Sequence, residues 1–121
     1  MGAPPEAIEK GIKGVLDNQL RVFSQAGGQI LFGTDVGYID QFDTTEEFTL
    51  MSRAGMDFRQ ILASLTTNPA GRFGSAAHTG TIAKGMDGDL VVLRADPSLD
   101  LAAFAKVKCT IRAGKVIHSE P

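Results

Sequence analysis

The sequence has few of the residues from which disulfides and metal sites are built. Its 121 residues include one cysteine and two histidines, so an internal disulfide or a Cys-X-X-Cys pair is excluded. A catalytic zinc takes about three protein ligands, and His78 and His118 lie far apart in no known ligand spacing. We expect both histidines at the surface, Cys109 to be a buried structural thiol, and no complete metal site from this chain alone.

Basic clusters and long apolar runs are also missing. The net charge is −2 and no two Lys or Arg residues are adjacent, so the basic stripe needed for nucleic acids or anionic membranes is absent from the sequence. Its longest apolar runs span a few residues, against about 20 for a membrane-crossing helix. Its first residues lack a secretory signal pattern. These features predict a cytoplasmic protein with no nucleic-acid or membrane partner.

The first part of the chain has the pattern of helices around one apolar strand. Apolar residues three or four apart predict a one-sided helix over residues 5–26. Consecutive apolar residues predict a strand over 29–33 that is buried on both faces, as in a parallel sheet. Capping-box spacing predicts helices that begin at Thr44 and at Asp57. The second of these should stop at Asn68, and Pro69 can start one more short turn toward Phe73.

After residue 74 the pattern changes to short segments of alternating polarity. We expect a brief strand over 81–82, a stronger strand over 89–94 and one or two helical turns over 99–105. A hairpin should follow, with strands 107–112 and 115–118 around a turn that contains glycine. A strand apolar on both faces needs parallel neighbours, which this order does not supply. Either the late strands pair with it or its neighbours lie on another polypeptide.

Asp35 is the principal candidate for chemistry. It directly follows the predicted buried strand, at the carboxyl end of a sheet, where α/β enzymes build their sites. A carboxylate there can bind a metal ion or take a proton from metal-bound water. The alternative is an aspartate that forms a turn, with its carboxylate accepting backbone N–H bonds. Spacing alone leaves both roles open.

The loop after Asp35 contains the remaining candidates. Tyr38 is either a substrate contact or an aromatic lid over the core. Asp40 and Asp43 are expected to be solvated or helix-capping carboxylates, with substrate contact as the alternative. The glycines form no phosphate-binding pattern.

Taken as an ordered set, these segments resemble the closing stretch of metal-dependent amidohydrolases. They are most similar to the branch of imidazolonepropionase-like and Xaa-Pro dipeptidase-like enzymes. The similarity runs over nearly the whole chain from about residue 5. The segments that carry it include Gly33-Thr34-Asp35, Ala54-Gly55-Met56, Ile61-Leu62-Ala63-Ser64-Leu65-Thr66-Thr67-Asn68-Pro69-Ala70, Gly88-Asp89-Leu90-Val91-Val92-Leu93 and Ala113-Gly114-Lys115-Val116-Ile117.

The resemblance implies an α/β fold, the C-terminal part of a (β/α)8 barrel followed by strands of a small β-sandwich. The sandwich would be completed by a segment from the N-terminus of the enzyme. Residues 1–74 would form the barrel segment and 75–121 the sandwich segment. Within the barrel segment, helix seven, strand eight and the terminal helices would occupy 5–26, 29–34 and 44–73.

The resemblance also implies a hydrolase that uses one or two divalent ions, commonly zinc, to break amide, cyclic amide or dipeptide C–N bonds. Asp35 would be both a metal ligand and the general base. The family's other ligands have no counterpart here, and a full barrel needs about 250 residues. We therefore expect a C-terminal fragment that is inactive alone and partners the missing N-terminal barrel portion. The alternatives are a non-catalytic α/β module that self-associates and a small-ligand binder that uses the loop after Asp35.

Overall fold

The computed structural model describes residues 2–38, 40 and 42–121 of an α/β chain with a small antiparallel sheet. A 3₁₀ helix spans Leu101–Ala105. The helices and strands in these residues are α1 Pro5–Gln25, α2 Thr45–Arg53, α3 Phe58–Leu65, α4 Thr67–Arg72, β1 Leu90–Leu93, β2 Val107–Arg112 and β3 Lys115–Ser119.

The helices begin and end close to the positions predicted. Helix α1 starts at Pro5, whose missing N–H is no loss in a first turn, and Gly27 follows its end at a φ of 82°. At α3 the predicted capping box is present: Asp57 accepts from the Gln60 N–H, and the Gln60 side chain accepts from the Asp57 N–H, both at 2.9 Å.

The capping box predicted at Thr44 is wrong. Thr44 precedes α2 but its side chain makes no capping hydrogen bond. Instead Asp43 Oδ1 accepts from the backbone N–H and the hydroxyl of Thr45, at 2.9 and 2.6 Å. A carboxylate is a stronger acceptor than a hydroxyl, so the charged neighbour takes the first donors of the helix.

The buried strand predicted over residues 29–34 is not observed, since the structure assigns these residues to no strand. A strand needs a neighbour that pairs with its backbone groups. Here helical residues supply partners instead: the Phe32 N–H donates to the Ser64 carbonyl at 3.0 Å, and Asn68 Nδ2 donates to the Ile30 carbonyl at 2.9 Å. The segment is therefore tied to the helices on one side.

Two smaller predictions also need correction. Residues 81–82 form no strand, and Ile82 is exposed, because no described strand lies beside it. Asn68 does not end α3. The break falls at Thr66, which has non-helical angles (φ −131°, ψ −83°), and Asn68 lies inside α4.

The sheet follows the prediction for the last part of the chain. Its strands are antiparallel in the order β1-β2-β3. The turn between β2 and β3 is Ala113-Gly114, with φ values of 48° and 75°. Two consecutive positive φ angles are typical of the tight turns whose twist matches a hairpin. Cys109, in β2, is partly buried rather than buried.

The core joins residues from both predicted segments. Its buried apolar cluster is formed by α2, α3, the residues beside them and the 3₁₀ helix: Phe48, Met51, Met56, Ile61 and Phe104. Phe104 stacks on Phe48 and on Phe58, with ring centroids 5.3 and 5.8 Å apart. The 3₁₀ helix thus inserts an aromatic ring from residues 75–121 into the core of residues 1–74. The division into two segments stays a prediction.

Helix α1 packs differently, since none of its residues is buried. Polar side chains hold it to α2: Arg53 pairs with Asp17 at 2.8 Å, and Lys13 pairs with Glu46 at 3.0 Å. Arg21 donates to the Arg53 carbonyl at 2.8 Å. Although α1 is long, no helix of the described residues is apolar enough over enough length to cross a membrane.

Candidate functional site

Asp35 lies in a turn that the backbone builds. Its φ is 54°, in the left-handed region, and its carbonyl accepts from the Tyr38 N–H at 3.0 Å. The Thr34 hydroxyl accepts from the Val36 N–H at 3.3 Å. The side chain of Asp35 is exposed and makes no hydrogen bond or ion pair with the residues that the structure describes. No described residue therefore occupies its carboxylate, and the hydrogen bonds given for this turn do not use it.

A complete metal site is not present in residues 2–38, 40 and 42–121. No group of three or more His, Cys, Asp or Glu side chains in these ranges could hold a metal ion. Asp35 offers one oxygen ligand, fewer than the about three of a catalytic zinc site. Asp35 could therefore contribute one ligand to a metal site, but the described residues could not form a complete site.

The two histidines have surface positions with no part in such a site. His78 Nδ1 lies 2.9 Å from Asp87 Oδ2, and both side chains are more than half exposed. The Asp87 N–H also donates to the His78 carbonyl at 2.7 Å, so the pair closes a surface loop. His118 is exposed on β3. The surface placement predicted for both histidines is confirmed.

The other loop candidates have separate positions. Tyr38 is 91% exposed, so it is not a lid over the core, and its role as a substrate contact stays a prediction. Asp40 is exposed. Asp43 caps α2, and the hydrogen bonds from the Thr45 hydroxyl and N–H lower the pKa of its carboxyl. The capping role expected for Asp43 is confirmed.

Sequence reasoning missed the residues that hold the segment before Asp35. Ser64 is 1% exposed, and its carbonyl and the Asn68 side chain bind the backbone of that segment. The sequence pattern indicates a helix stop at Asn68 and a short turn from Pro69 toward Phe73, but no contact of Asn68 with another segment. The signal that could have revealed this contact is the break between two short helices. Carbonyls at the end of the first helix have no partner within it, and a polar amide beside the break can bind another chain segment.

A cleft of about 690 Å³ lies between α3, α4 and β1. Its walls are mainly apolar, and strand β1 contributes Leu90, Val91 and Leu93. Two carboxylates at its lining already have partners: Asp87 pairs with His78, and Asp89 accepts from the Ala113 N–H at 2.8 Å. The sequence did not predict this cleft. Among the described strands β1 pairs only with β2, so its other edge has no strand partner there.

The sequence was compared with known protein families and with proteins of curated function. The sequence profile of the Amidohydrolase family matches residues 5–117. The chain belongs to the amidohydrolase family. The resemblance inferred from the sequence motifs is thus confirmed, and members of this family typically bind divalent metal ions. A comparison with proteins of curated function found no match.

Several solved amidohydrolase structures resemble this chain. A Xaa-Pro dipeptidase with methionine bound in its active site has a TM-score of 0.77 and 25% identity, over 86% of this chain and 25% of that one. A prolidase from Bifidobacterium longum has a TM-score of 0.72 and 33% identity, over 84% of this chain and 26% of that one. An amidohydrolase from Thermotoga maritima MSB8 has a TM-score of 0.69 and 25% identity, over 86% of this chain and 26% of that one.

This amidohydrolase chain therefore spans about a quarter of the length of the solved structures it matches. The relatives support the branch of Xaa-Pro dipeptidase-like enzymes. The family also implies a barrel-type fold, while the described residues form an α/β chain with a small antiparallel sheet.

Proposed function

We propose that this chain is the C-terminal part of a metal-dependent amidohydrolase that cleaves C–N bonds in small amides, cyclic amides or dipeptides. The observation that carries the proposal is the exposed Asp35 carboxylate, which has no partner among the described residues, in a chain of this family whose described residues offer no complete metal site. The remaining ligands then come from a part of the enzyme beyond these 121 residues. Alone, the chain is inactive.

Asp35 has the properties that such a role needs. Its carboxylate is exposed and free of partners among the described residues, so it can meet a metal ion and a water molecule without first breaking a contact. The ion, commonly zinc in this family, would acidify a bound water. Asp35 would contribute one ligand oxygen and accept the proton that this water loses. Tyr38, exposed in the same loop, would contact the substrate.

Two exposed apolar surfaces, one on α1 and one in the cleft beside β1, support the proposal that this chain is part of a larger protein. Most large apolar side chains of α1 are about half exposed, among them Ile8, Ile12, Val15 and Leu16. A Cβ placed at Gly11 or Gly14, on the same helix, would meet no described atom within 4 Å. In the proposed enzyme the remaining barrel elements cover α1, residues 29–34 join them as the eighth strand, and a further strand of the sandwich fills the cleft beside β1. The cytoplasmic location remains part of the same proposal.

The test uses the native protein, recovered from its source with an antibody against this chain. We expect a mass several times the 12.8 kDa of the chain. We also expect hydrolysis of Xaa-Pro dipeptides or small amides that chelation removes and zinc restores. The isolated chain with zinc should show no turnover. Asp35→Asn in the native protein should lower kcat by about 10²-fold to 10⁴-fold.

The matched control is Asp96→Asn, a change of the same chemistry in a surface turn distant in sequence, which should leave kcat unchanged. Full activity in the native Asp35→Asn protein would remove the role given to Asp35. Metal-dependent turnover by the isolated chain, abolished by Asp35→Asn, would contradict the proposal that the site is completed elsewhere.

A further inference from the structure

Helical residues hold the segment before Asp35 at two points. The Asn68 side chain binds the Ile30 carbonyl, and the Ser64 carbonyl binds the Phe32 N–H. The second of these points lies three residues before Asp35.

The break between α3 and α4 creates both partners. Ser64 lies in the last turn of α3, where carbonyls have no donor left within the helix, so its carbonyl is free for the Phe32 N–H. Thr66 interrupts the helix, and α4 restarts at Thr67. Asn68 then stands in the first turn of α4, with its amide directed to the Ile30 carbonyl.

The break is itself tightly packed. A Cβ added at Gly80 would lie 2.6 Å from the Ala70 Cβ and 3.0 Å from the Thr66 carbonyl oxygen. Gly80 has a φ of 91°, a conformation that suits glycine. Ser64, on the other side of the break, is 1% exposed. The junction is thus a packed support for the two hydrogen bonds rather than a loose connection.

We propose that the α3–α4 junction supports the segment before Asp35 and that Asn68 is a positioning residue for Asp35. Through the Ile30 carbonyl, the Asn68 amide fixes where this segment lies and hence where the Asp35 carboxylate emerges. This inference rests on the proposed function of Asp35 for its importance, while its geometry is measurable without any activity.

The test measures orientation in the isotopically labelled chain. Residual dipolar couplings of residues 30–36 report the direction of that segment relative to α3 and the sheet. Asn68→Asp cannot donate to the Ile30 carbonyl while ionised but can donate once protonated. At neutral pH we expect its couplings over 30–36 to differ from wild type, and its Phe32 amide to exchange about fivefold faster. Lowering the pH until the introduced carboxylate is protonated should restore the wild-type couplings.

Asn18→Asp is the matched control, because it makes the same change on the exposed surface of α1 and should alter none of these values. Asn68→Ala should show the altered couplings at every pH. Wild-type couplings over 30–36 in Asn68→Ala would overturn the inference. So would a loss of structure throughout the chain in that variant, since Asn68 would then maintain the fold instead of aligning one segment.

The two proposals fail in different ways. If Asp35→Asn leaves the native enzyme fully active while the couplings respond to Asn68, the function given to Asp35 is wrong and the positioning geometry holds. If Asp35→Asn abolishes activity while the couplings ignore Asn68, the positioning inference alone is wrong.

Discussion

Helix α1 and the pair α2–α3 have similar amphipathic patterns but differ in how far their apolar side chains are buried. Ile61 of α3 is fully buried and Phe48 of α2 is 2% exposed, both in one cluster with Phe104 of the 3₁₀ helix. In α1 only Leu20 packs, partly buried, against this cluster; the other large apolar side chains stay about half exposed, and salt bridges join the helix to α2. A row of apolar side chains along one face of a helix indicates that this face packs against other residues. It does not show whether the covering residues lie in the same chain.

Replacing one phenylalanine in the core and one on α1 tests whether the two regions differ in packing. Phe104→Ala removes a buried ring that stacks on two others, and we expect a loss of about 3–5 kcal/mol in the free energy of unfolding. Phe23→Ala on α1, where the ring is 53% exposed, should cost about 1 kcal/mol or less. Urea unfolding measures both. Equal losses would mean that α1 is as well packed as the core.

A second experiment measures how strongly an ion pair holds α1 to α2. The ion pair between Arg53 and Asp17 joins α1 to α2, and the Asp17 side chain is only 12% exposed. A double-mutant cycle with Arg53→Gln and Asp17→Asn should give a coupling energy of about 1 kcal/mol at low salt. The coupling should shrink in high salt, because screening weakens partly exposed ion pairs. A coupling of zero at low salt would show that α1 is not held by this pair.

The smallest expected effect concerns the start of the core helices. Hydrogen bonds from Thr45 lower the pKa of Asp43, so this cap stabilises α2 at neutral pH and is lost as the pH falls through the lowered pKa. Thr45→Val removes the hydroxyl donor and should raise the Asp43 pKa toward its ordinary value, as measured by carboxyl ¹³C titration. Helix α1 has no side-chain cap, so its amide signals should not follow this titration.

Asp96 is an internal control for that titration. Its carboxyl accepts from the Ser98 hydroxyl and N–H at 2.7 and 2.8 Å, and these bonds lower its pKa in the same way. Thr45→Val should leave the Asp96 pKa unchanged. A shift at both positions would indicate a general change in the chain and not the loss of one hydrogen bond.

Local signals in the sequence were sufficient for the helices and the hairpin. Periodicity, Pro5 and the Asp57 capping box act over a few residues, so they predicted the bounds of α1 and the start of α3. The hairpin strands and their turn followed from alternation and one glycine. The family likewise followed from ordered motifs that span the chain.

Features that depend on distant partners were not predictable in this way. Residues 29–34 have the composition of a buried strand, yet their backbone partners in the structure are Ser64 and Asn68. The contact of Phe104 with α2 and α3 joins residues far apart in sequence. For the site, the sequence singled out Asp35 but not the side chain that holds its segment. Periodicity carries no information on which backbone groups meet across such separations.

The left-handed backbone at Asp35 determines which substitutions can be interpreted there. At a φ of 54°, Gly, Asn and Asp are accepted readily, whereas Ala adopts this left-handed conformation less often and the branched side chains of Val and Ile least of all. An alanine scan would therefore mix conformational strain with loss of the carboxylate at this one position. Asparagine changes the charge and keeps the shape, so it isolates the chemistry that the carboxylate performs.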